Sequence, residues 1–436
     1  MAKRLIAGAA FAALISLCAP VAAATTPEAP LSFRMFGAQS DPGVQAFYAS
    51  RRGSPLWLGQ GIDAPAAREL IQVLRRAPVE GFAEGPGIES QVEALMARAS
   101  TGDRDAFSEA DQLLSSGWVR YVQTLRRAPA GMTYAEQWIA PRNQSAGEIL
   151  QLAAAAPSLE THVRTIASVN PIYAELRDAA YSQLQSTGMS DPRVTASLER
   201  LRILPAKGRY VVVDAAGARL WMVDGGQIVD SMKVIVGKPT SQTPMIASVI
   251  HYATLNPYWN VPGDLVQRLI APRVLSQGVG YLKAHGYQVL SDFSDDPQVL
   301  SPGDVDWTAV AEGRATVRVR QLPGPGNSMG QLKFGFANEA GIYLHDTPQK
   351  DLFAGDNRDL SNGCIRLEDA ERLGRWLLGR EPSTASPEPE QHVLLPKPVP
   401  VYVTYLTARA DAGQLTFADD PYGRDSHGGT AVAALN

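Results

Sequence analysis

The sequence predicts an α+β chain: a helical first half, then a mostly β second half that carries a lid-like insertion. Two observations predict this. Before about residue 205, apolar residues recur at the three- and four-residue spacing of a helix with one buried face. After Pro205 they fall in short runs rich in Val, Ile, Tyr and Trp, separated by Gly- and Asp-containing turns. A length of 436 residues allows two or three folding units, and 45% hydrophobic content is ample for buried cores.

The chain opens on a targeting segment. Lys3 and Arg4 precede an apolar run from Leu5 to Val21 and the small residues Ala22-Ala23-Ala24, the order of an export signal. Residues 1–24 are expected to be a signal peptide cleaved near Ala24, leaving an exported protein. Gly8, Ser16, Cys18 and Pro20 interrupt the run before the ~20 strongly apolar residues of a spanning helix accumulate. Bulky Leu17 before Cys18 argues against lipidation.

Residues 34–204 read as a helical domain. Leu70, Val73 and Leu74 in Ala66 to Arg76, then Leu113, Leu114, Val122 and Leu125 in Ala110 to Arg127, then Tyr173, Leu176, Ala180 and Leu184 in Pro171 to Gln185 each make one apolar face. Trp57, Trp118 and Trp138 are expected in its core. Residues 205–425 form the second domain, opening with a meander of Arg209 to Val213, Ala218 to Val223 and Ile228 to Val236 around tight turns. Further strands are expected at Ser248 to Leu255, Ala315 to Gln321, Gln331 to Phe336, Ile342 to His345 and Val399 to Leu406. Helices are expected at Pro262 to Leu275 and Leu367 to Leu378. The Pro- and Glu-rich stretch at about 380–391 predicts a flexible surface loop, and 426–436 a disordered tail.

Net charge is −4, which gives no polybasic surface and excludes an electrostatic case for nucleic acid or acidic lipid. Once the signal is removed, a single cysteine remains, Cys364. A lone thiol in an exported protein is a free reactive group, an intermolecular link or an inert buried side chain. Its surroundings favour the first. Tyr343 and His345 alternate on one face of a short strand while Ile342 and Leu344 enter the core, so one sheet edge is expected to present a phenol beside an imidazole. Gly363 permits a tight turn beside the sulfur. A helix expected from Leu367, together with the imidazole, would favour thiolate. The amides of Gly363 and Cys364, with the Tyr343 hydroxyl, would hold an oxyanion. This is the equipment of acyl transfer through a thioester. A zinc site from His345, Asp346 and Cys364 is the weaker reading, because no short paired ligand spacing is present; no metal and no cofactor are expected.

Tyr343-Leu344-His345-Asp346-Thr347-Pro348 followed by Ser361-Asn362-Gly363-Cys364-Ile365-Arg366 resembles the signature of L,D-transpeptidases with a YkuD-type catalytic domain, in particular the large, YcbB-like subgroup with a scaffold domain. Val234 to Pro239, Thr243-Pro244, Asn256 to Pro262, Arg320 to Gly330 and Asp419 to Asp425 resemble further segments of that subgroup, in the same order. The resemblance is strong over about 195–425 and weaker over the helical half. It implies a helical scaffold followed by a mostly β YkuD-like domain, with a substrate-capping insertion at about 257–330 that would close over the thioester and exclude water.

The resemblance also implies chemistry. Cys364 would attack the third-residue carbonyl of a peptidoglycan tetrapeptide stem and expel D-alanine, with His345 as base. The acyl group would pass to a diamino-acid amine of a second stem. Gly363 and the Cys364 amide would form the oxyanion site near Tyr343, and Ser361 and Arg366 would hold the loop or contact substrate. Asn327, Tyr258 and Trp259 would meet the stem peptide, with Trp307 a contact or part of the lid core. Carbapenem-type β-lactams would acylate the same sulfur, and the periplasm would be the place of work. Two departures stand out: Asn362 replaces the His of many smaller members, and Tyr181 to Leu204 leaves no room for the three-helix peptidoglycan-binding domain found in the subgroup. The competing classes are an L,D-carboxypeptidase, a cysteine peptidase or amidase, which places Cys before His in sequence, and a non-catalytic wall-binding protein.

Overall fold

The computed structural model describes residues 41–294, 296–383 and 387–425. The expected signal and the expected tail lie outside the described residues. No described helix is long and apolar enough to cross a membrane.

Among the described residues, eight α-helices build the first part: α1 Pro42–Ser50, α2 Pro65–Arg76, α3 Gly85–Ser100, α4 Arg104–Leu125, α5 Ala146–Ala154, α6 Leu159–Ser168, α7 Pro171–Thr187 and α8 Pro192–Leu201. Their boundaries follow local chemistry. Asp103 accepts the Ala106 amide, Ser145 and Glu148 form a reciprocal capping box, and Asn170 accepts the Tyr173 amide just before Pro171. Gly188, at φ 70°, ends α7 in the left-handed conformation that glycine adopts without a Cβ penalty. The buried stripe of α2, including Leu70, Val73 and Leu74, faces α3, α4 and α6. One polar node crosses this core: the Asp111 carboxylate accepts the Leu56, Trp57 and Leu58 amides and the Tyr48 hydroxyl, so a buried charge is fully hydrogen-bonded. Trp57 and Trp118 are buried, with ring centroids 6.1 Å apart. Trp138, expected beside them, is instead 68% exposed. It sits in a single 3-10 turn whose buried position is taken by its neighbour Ile139.

The strands are β1 Met132–Tyr134, β2 Tyr210–Asp214, β3 Arg219–Asp224, β4 Gln227–Gly237, β5 Met245–Leu255, β6 Trp259–Val261, β7 Tyr287–Leu290, β8 Val299–Leu300, β9 Arg318–Gln321, β10 Leu332–Phe336, β11 Tyr343–His345, β12 Asp359–Ser361, β13 Ile365–Leu367 and β14 Gln391–Thr404, followed by the hairpin Ala408–Asp411 and Gln414–Phe417. The main sheet closes on itself: its order runs β5-β10-β11-β13-β4-β3-β2-β14, and β14 pairs with β5 again. Closure removes the exposed edge from these strands. β14 lies parallel to β2 and antiparallel to β5, while β1, from the helical part, adds in parallel to the start of β5. Phe334, Leu344, Ile365 and Val401 point into the barrel and are fully buried; deleting any such side chain to Ala costs about 2–5 kcal/mol.

The insertion between β5 and β10 is more than a helical lid. It has its own four-stranded sheet, β6-β9-β7-β8, packed on the helical stretch Gly263–Gln277 around a separate core of Val261, Val266, Ile270, Trp307, Val310 and Val319. Trp307 belongs to that core, its indole N–H donating to Pro302 O at 2.9 Å. The stretch at 380–391 is also less free than its composition predicts, although 384–386 lie outside the described residues. Glu390 Oε1 accepts the Tyr258 amide at 2.7 Å, and Asn256 Nδ2 donates to Glu388 O at 3.2 Å. Both ties reach the entrance of the insertion.

Candidate active site

β11 lies between β10 and β13, an interior position and not the sheet edge expected from its sequence. In this register Lys333, His345 and Arg366 form one cross-strand row, and Gly335 lies opposite Tyr343. The alternation holds: Leu344 is fully buried between them. His345 is 4% exposed, and its Nδ1 lies 2.6 Å from Asp346 O. A carbonyl only accepts, so Nδ1 carries the proton and Nε2 keeps its lone pair. Asp346 is itself fastened: its amide donates to Leu332 O, and its carboxylate accepts the Gln331 amide and Lys350 Nζ. Lys350 also donates to Leu367 O and Glu368 O. Burial pushes the imidazole down to about 4, reinforced by Arg366 and Lys333 and opposed by Asp346. His345 is therefore a neutral base near pH 7.

Cys364 sits in the turn between β12 and β13. Ser361, 2% exposed, shapes that turn, its Oγ donating to Cys364 O at 2.6 Å and accepting the Gly363 N–H at 3.0 Å. Gly363 has φ +115°, a conformation strained for any residue with a side chain, and a Cβ there would also press on Ile342 Cδ1 at 3.2 Å. The register Leu344↔Ile365 sets the Cys364 turn at the start of the strand that adjoins His345.

Three expectations about the thiol are corrected. The Gly363 N–H is committed to Ser361 and cannot also bind an oxyanion, which leaves the Cys364 N–H, for which the described residues provide no acceptor. No helix begins beside the sulfur. Ile365-Arg366-Leu367 alternate into the sheet as β13, and the helix starts at Ala370 with Asp369 as its cap. Burial also pushes the thiol up, despite the Tyr343 amide and the Arg366 and Lys333 charges that oppose it. At rest the pair is neutral thiol and neutral imidazole, with Sγ 3.8 Å from Gly341 O.

The other expected residues divide. Tyr343 stays on the site face with Lys333 Nζ 5.3 Å from its ring centre, its phenol raised chiefly by burial, with Cys364 and Glu390 nearby acting in the same direction. Arg366 faces the site and donates to Gln349 Oε1 at 2.7 Å. Tyr258 carries the Arg320 guanidinium 4.3 Å above its ring. Trp259 packs towards Tyr287 and the insertion's core. Asn327 is not a substrate contact: it is 1% exposed, its Nδ2 donating to Pro257 O, Gln321 O and Leu322 O and its Oδ1 accepting the Met329 amide. It stitches the two ends of the insertion together. Lys333 escaped the sequence reading, although the alternation of Leu332, Phe334 and Phe336 into the core assigns it to the site face. Among the described residues no group of three or more potential metal ligands converges.

Residues 208–403 match the L,D-transpeptidase catalytic domain family of the YkuD type, and residues 42–179 match the scaffold domain. The chain thus carries a YkuD-type L,D-transpeptidase catalytic domain preceded by a scaffold domain. A relative from Haemophilus influenzae, described as a putative L,D-transpeptidase, is 25% identical over 398 residues, which span 89% of this chain and 79% of that protein. Among solved structures, a cysteine-to-serine mutant of the Enterococcus faecium L,D-transpeptidase aligns at 13% identity and a TM-score of 0.23, over 45% of this chain and 50% of its own. The Mycobacterium tuberculosis L,D-transpeptidase 3 with a faropenem-derived adduct aligns at 14% identity and 0.23, over 46% and 61%. The architecture is thus a helical scaffold followed by a mostly β catalytic domain.

Proposed function

We propose that this L,D-transpeptidase cross-links peptidoglycan stems through a thioester on Cys364. His345 Nε2 takes the thiol proton as Sγ bonds to the third-residue carbonyl of a tetrapeptide stem. The carbonyl–nitrogen bond to D-alanine then breaks, and the imidazolium returns the proton to the leaving amine. A diamino-acid side-chain amine of a second stem attacks the thioester, links two third residues and regenerates the thiol. The Cys364 N–H carries the oxyanion. The observation that carries this reading is the His345 imidazole locked by Asp346 O in the tautomer that leaves Nε2 basic, on the strand adjoining the Cys364 turn.

Lys333 and Arg366 flank the imidazole and favour the thiolate as it forms. The folded insertion, tied to Glu390 at its entrance, serves as the cap that keeps water from the thioester. The opening Lys3-Arg4, the apolar run and Ala22-Ala23-Ala24 support export to the periplasm, where the stems are found. Carbapenem-type β-lactams are proposed to acylate Cys364, since a strained amide carbonyl is an electrophile that this thiol would attack as it attacks the stem.

Incubation with a carbapenem followed by intact-mass measurement tests the nucleophile: an adduct of the drug's mass is expected, absent in Cys364→Ala. An unmodified protein, or an adduct that survives Cys364→Ala, sinks the reading. Incubation with a disaccharide tetrapeptide then separates outcomes, because dimers mark transpeptidation and shortened stems alone mark a carboxypeptidase.

A further inference from the structure

The segment Gly237 to Thr243 leaves β4 and folds directly against the nucleophile turn. Gly237 is pressed so closely that a Cβ would lie 2.1 Å from Ser241 O. The Gly237 N–H donates to Thr243 Oγ1 at 2.8 Å, and that hydroxyl donates to Gly363 O at 2.8 Å. The proton's direction involves no choice, since an amide N–H only donates and a carbonyl only accepts. Thr243 is fully buried. Behind it stands Tyr422, whose hydroxyl donates to Gly237 O at 2.5 Å and accepts the Thr243 amide at 3.3 Å. Tyr422 is stacked on Tyr405, ring centres 5.2 Å apart, and its amide donates to the Tyr405 hydroxyl.

The Gly363 carbonyl and the Cys364 N–H belong to one planar peptide and point in opposite directions. Fixing one therefore aims the other. Ser361 holds the groups on either side of this peptide, Gly363 N–H and Cys364 O; Thr243 holds the peptide itself. We propose that Thr243 is a positioning residue for acyl transfer: its hydroxyl, braced by Tyr422, clamps Gly363 O so that the Cys364 N–H meets the oxyanion formed on the attacked carbonyl. This rests on Cys364 being the nucleophile.

The test follows carbapenem acylation of the full chain by time-resolved intact mass for the wild type, Thr243→Val, Thr243→Ser and Tyr422→Phe. Valine keeps the shape and removes the hydroxyl. A fall of roughly ten- to a hundredfold in the limiting acylation rate is expected for Thr243→Val, part of what loss of an oxyanion donor costs. The drug concentration giving half that rate should stay unchanged, and Thr243→Ser should restore the rate. Tyr422→Phe should lower the rate severalfold, and it decides the matter if Thr243→Val does not fold. Wild-type rates in Thr243→Val or Tyr422→Phe, or a serine variant as slow as valine, would overturn the positioning role. A wild-type protein that never acylates overturns the nucleophile assignment itself, so the two failures are read separately.

Discussion

Replacing His345 by glutamine should flatten the acid limb of this protein's stability. The imidazole is held neutral, its affinity for a proton lowered by burial from an ordinary 6.5 to about 4. Above pH 6.5 the group is neutral in both folded and unfolded chains and contributes no pH dependence. Between those values the unfolded chain binds a proton that the folded chain refuses, so stability rises with pH there and is lost as pH falls. Each pH unit crossed is worth about 1.4 kcal/mol, so descending from about pH 7.5 to about pH 5 should cost the wild type about 2 kcal/mol through this residue, approaching about 3 kcal/mol near pH 4. Glutamine can still donate to Asp346 O but does not titrate. Urea unfolding of the wild type and His345→Gln at both pH values, each analysed as the change within one protein, isolates the effect. Parallel losses in the two proteins would refute a neutral, buried His345, and with it the base assigned to the reaction.

Further expectations concern the turn and the insertion. Iodoacetamide should label Cys364 slowly near pH 7 and faster only above the pH at which an ordinary cysteine thiol ionises, because burial raises the thiol, and Arg366→Met should move that profile higher still; a labelling profile lying below that of a free cysteine would contradict this. Gly363→Ala should lower stability by about 1–3 kcal/mol through its φ of +115° and should slow acylation as the turn shifts away from Ile342, visible as a reduced Tm alongside a reduced rate. Asn327→Ala removes three donated bonds and one accepted bond and should destabilise by about 3 kcal/mol, measured by urea unfolding; a cost under about 1 kcal/mol would return Asn327 to the surface of the site.

Much of the site was legible in local patterns. The alternation of Ile342, Tyr343, Leu344 and His345 survives in β11 because a two-residue period admits no other face once Leu344 is buried. Helix α7 was legible for a similar reason, with Asn170-Pro171 starting it and apolar residues repeating along one side. The helix expected from Leu367 starts only at Ala370, because Leu367 pairs with Val234 of β4 as the last residue of β13, a tertiary contact that no local period reveals. Asn327 looked like a recognition residue because polarity does not reveal whether its partners are substrate or backbone. The clamp on Gly363 was hidden for another reason: Thr243 and Tyr422 lie far from Cys364 in sequence, and only the closed sheet brings them together.

The strand that closes the barrel has a consequence for how the protein comes into being. Joining Val401 to Val211 and Tyr402 to Ala247 requires loops spanning most of the second half of the chain, and contacts so distant in sequence form slowly. Tyr422 lies later still, anchored where Arg200 of α8 pairs with Asp425. A ribosome delivers these residues after the nucleophile and its base. A nascent chain that ends before Tyr422 therefore holds Cys364 without the brace behind the Gly363 peptide.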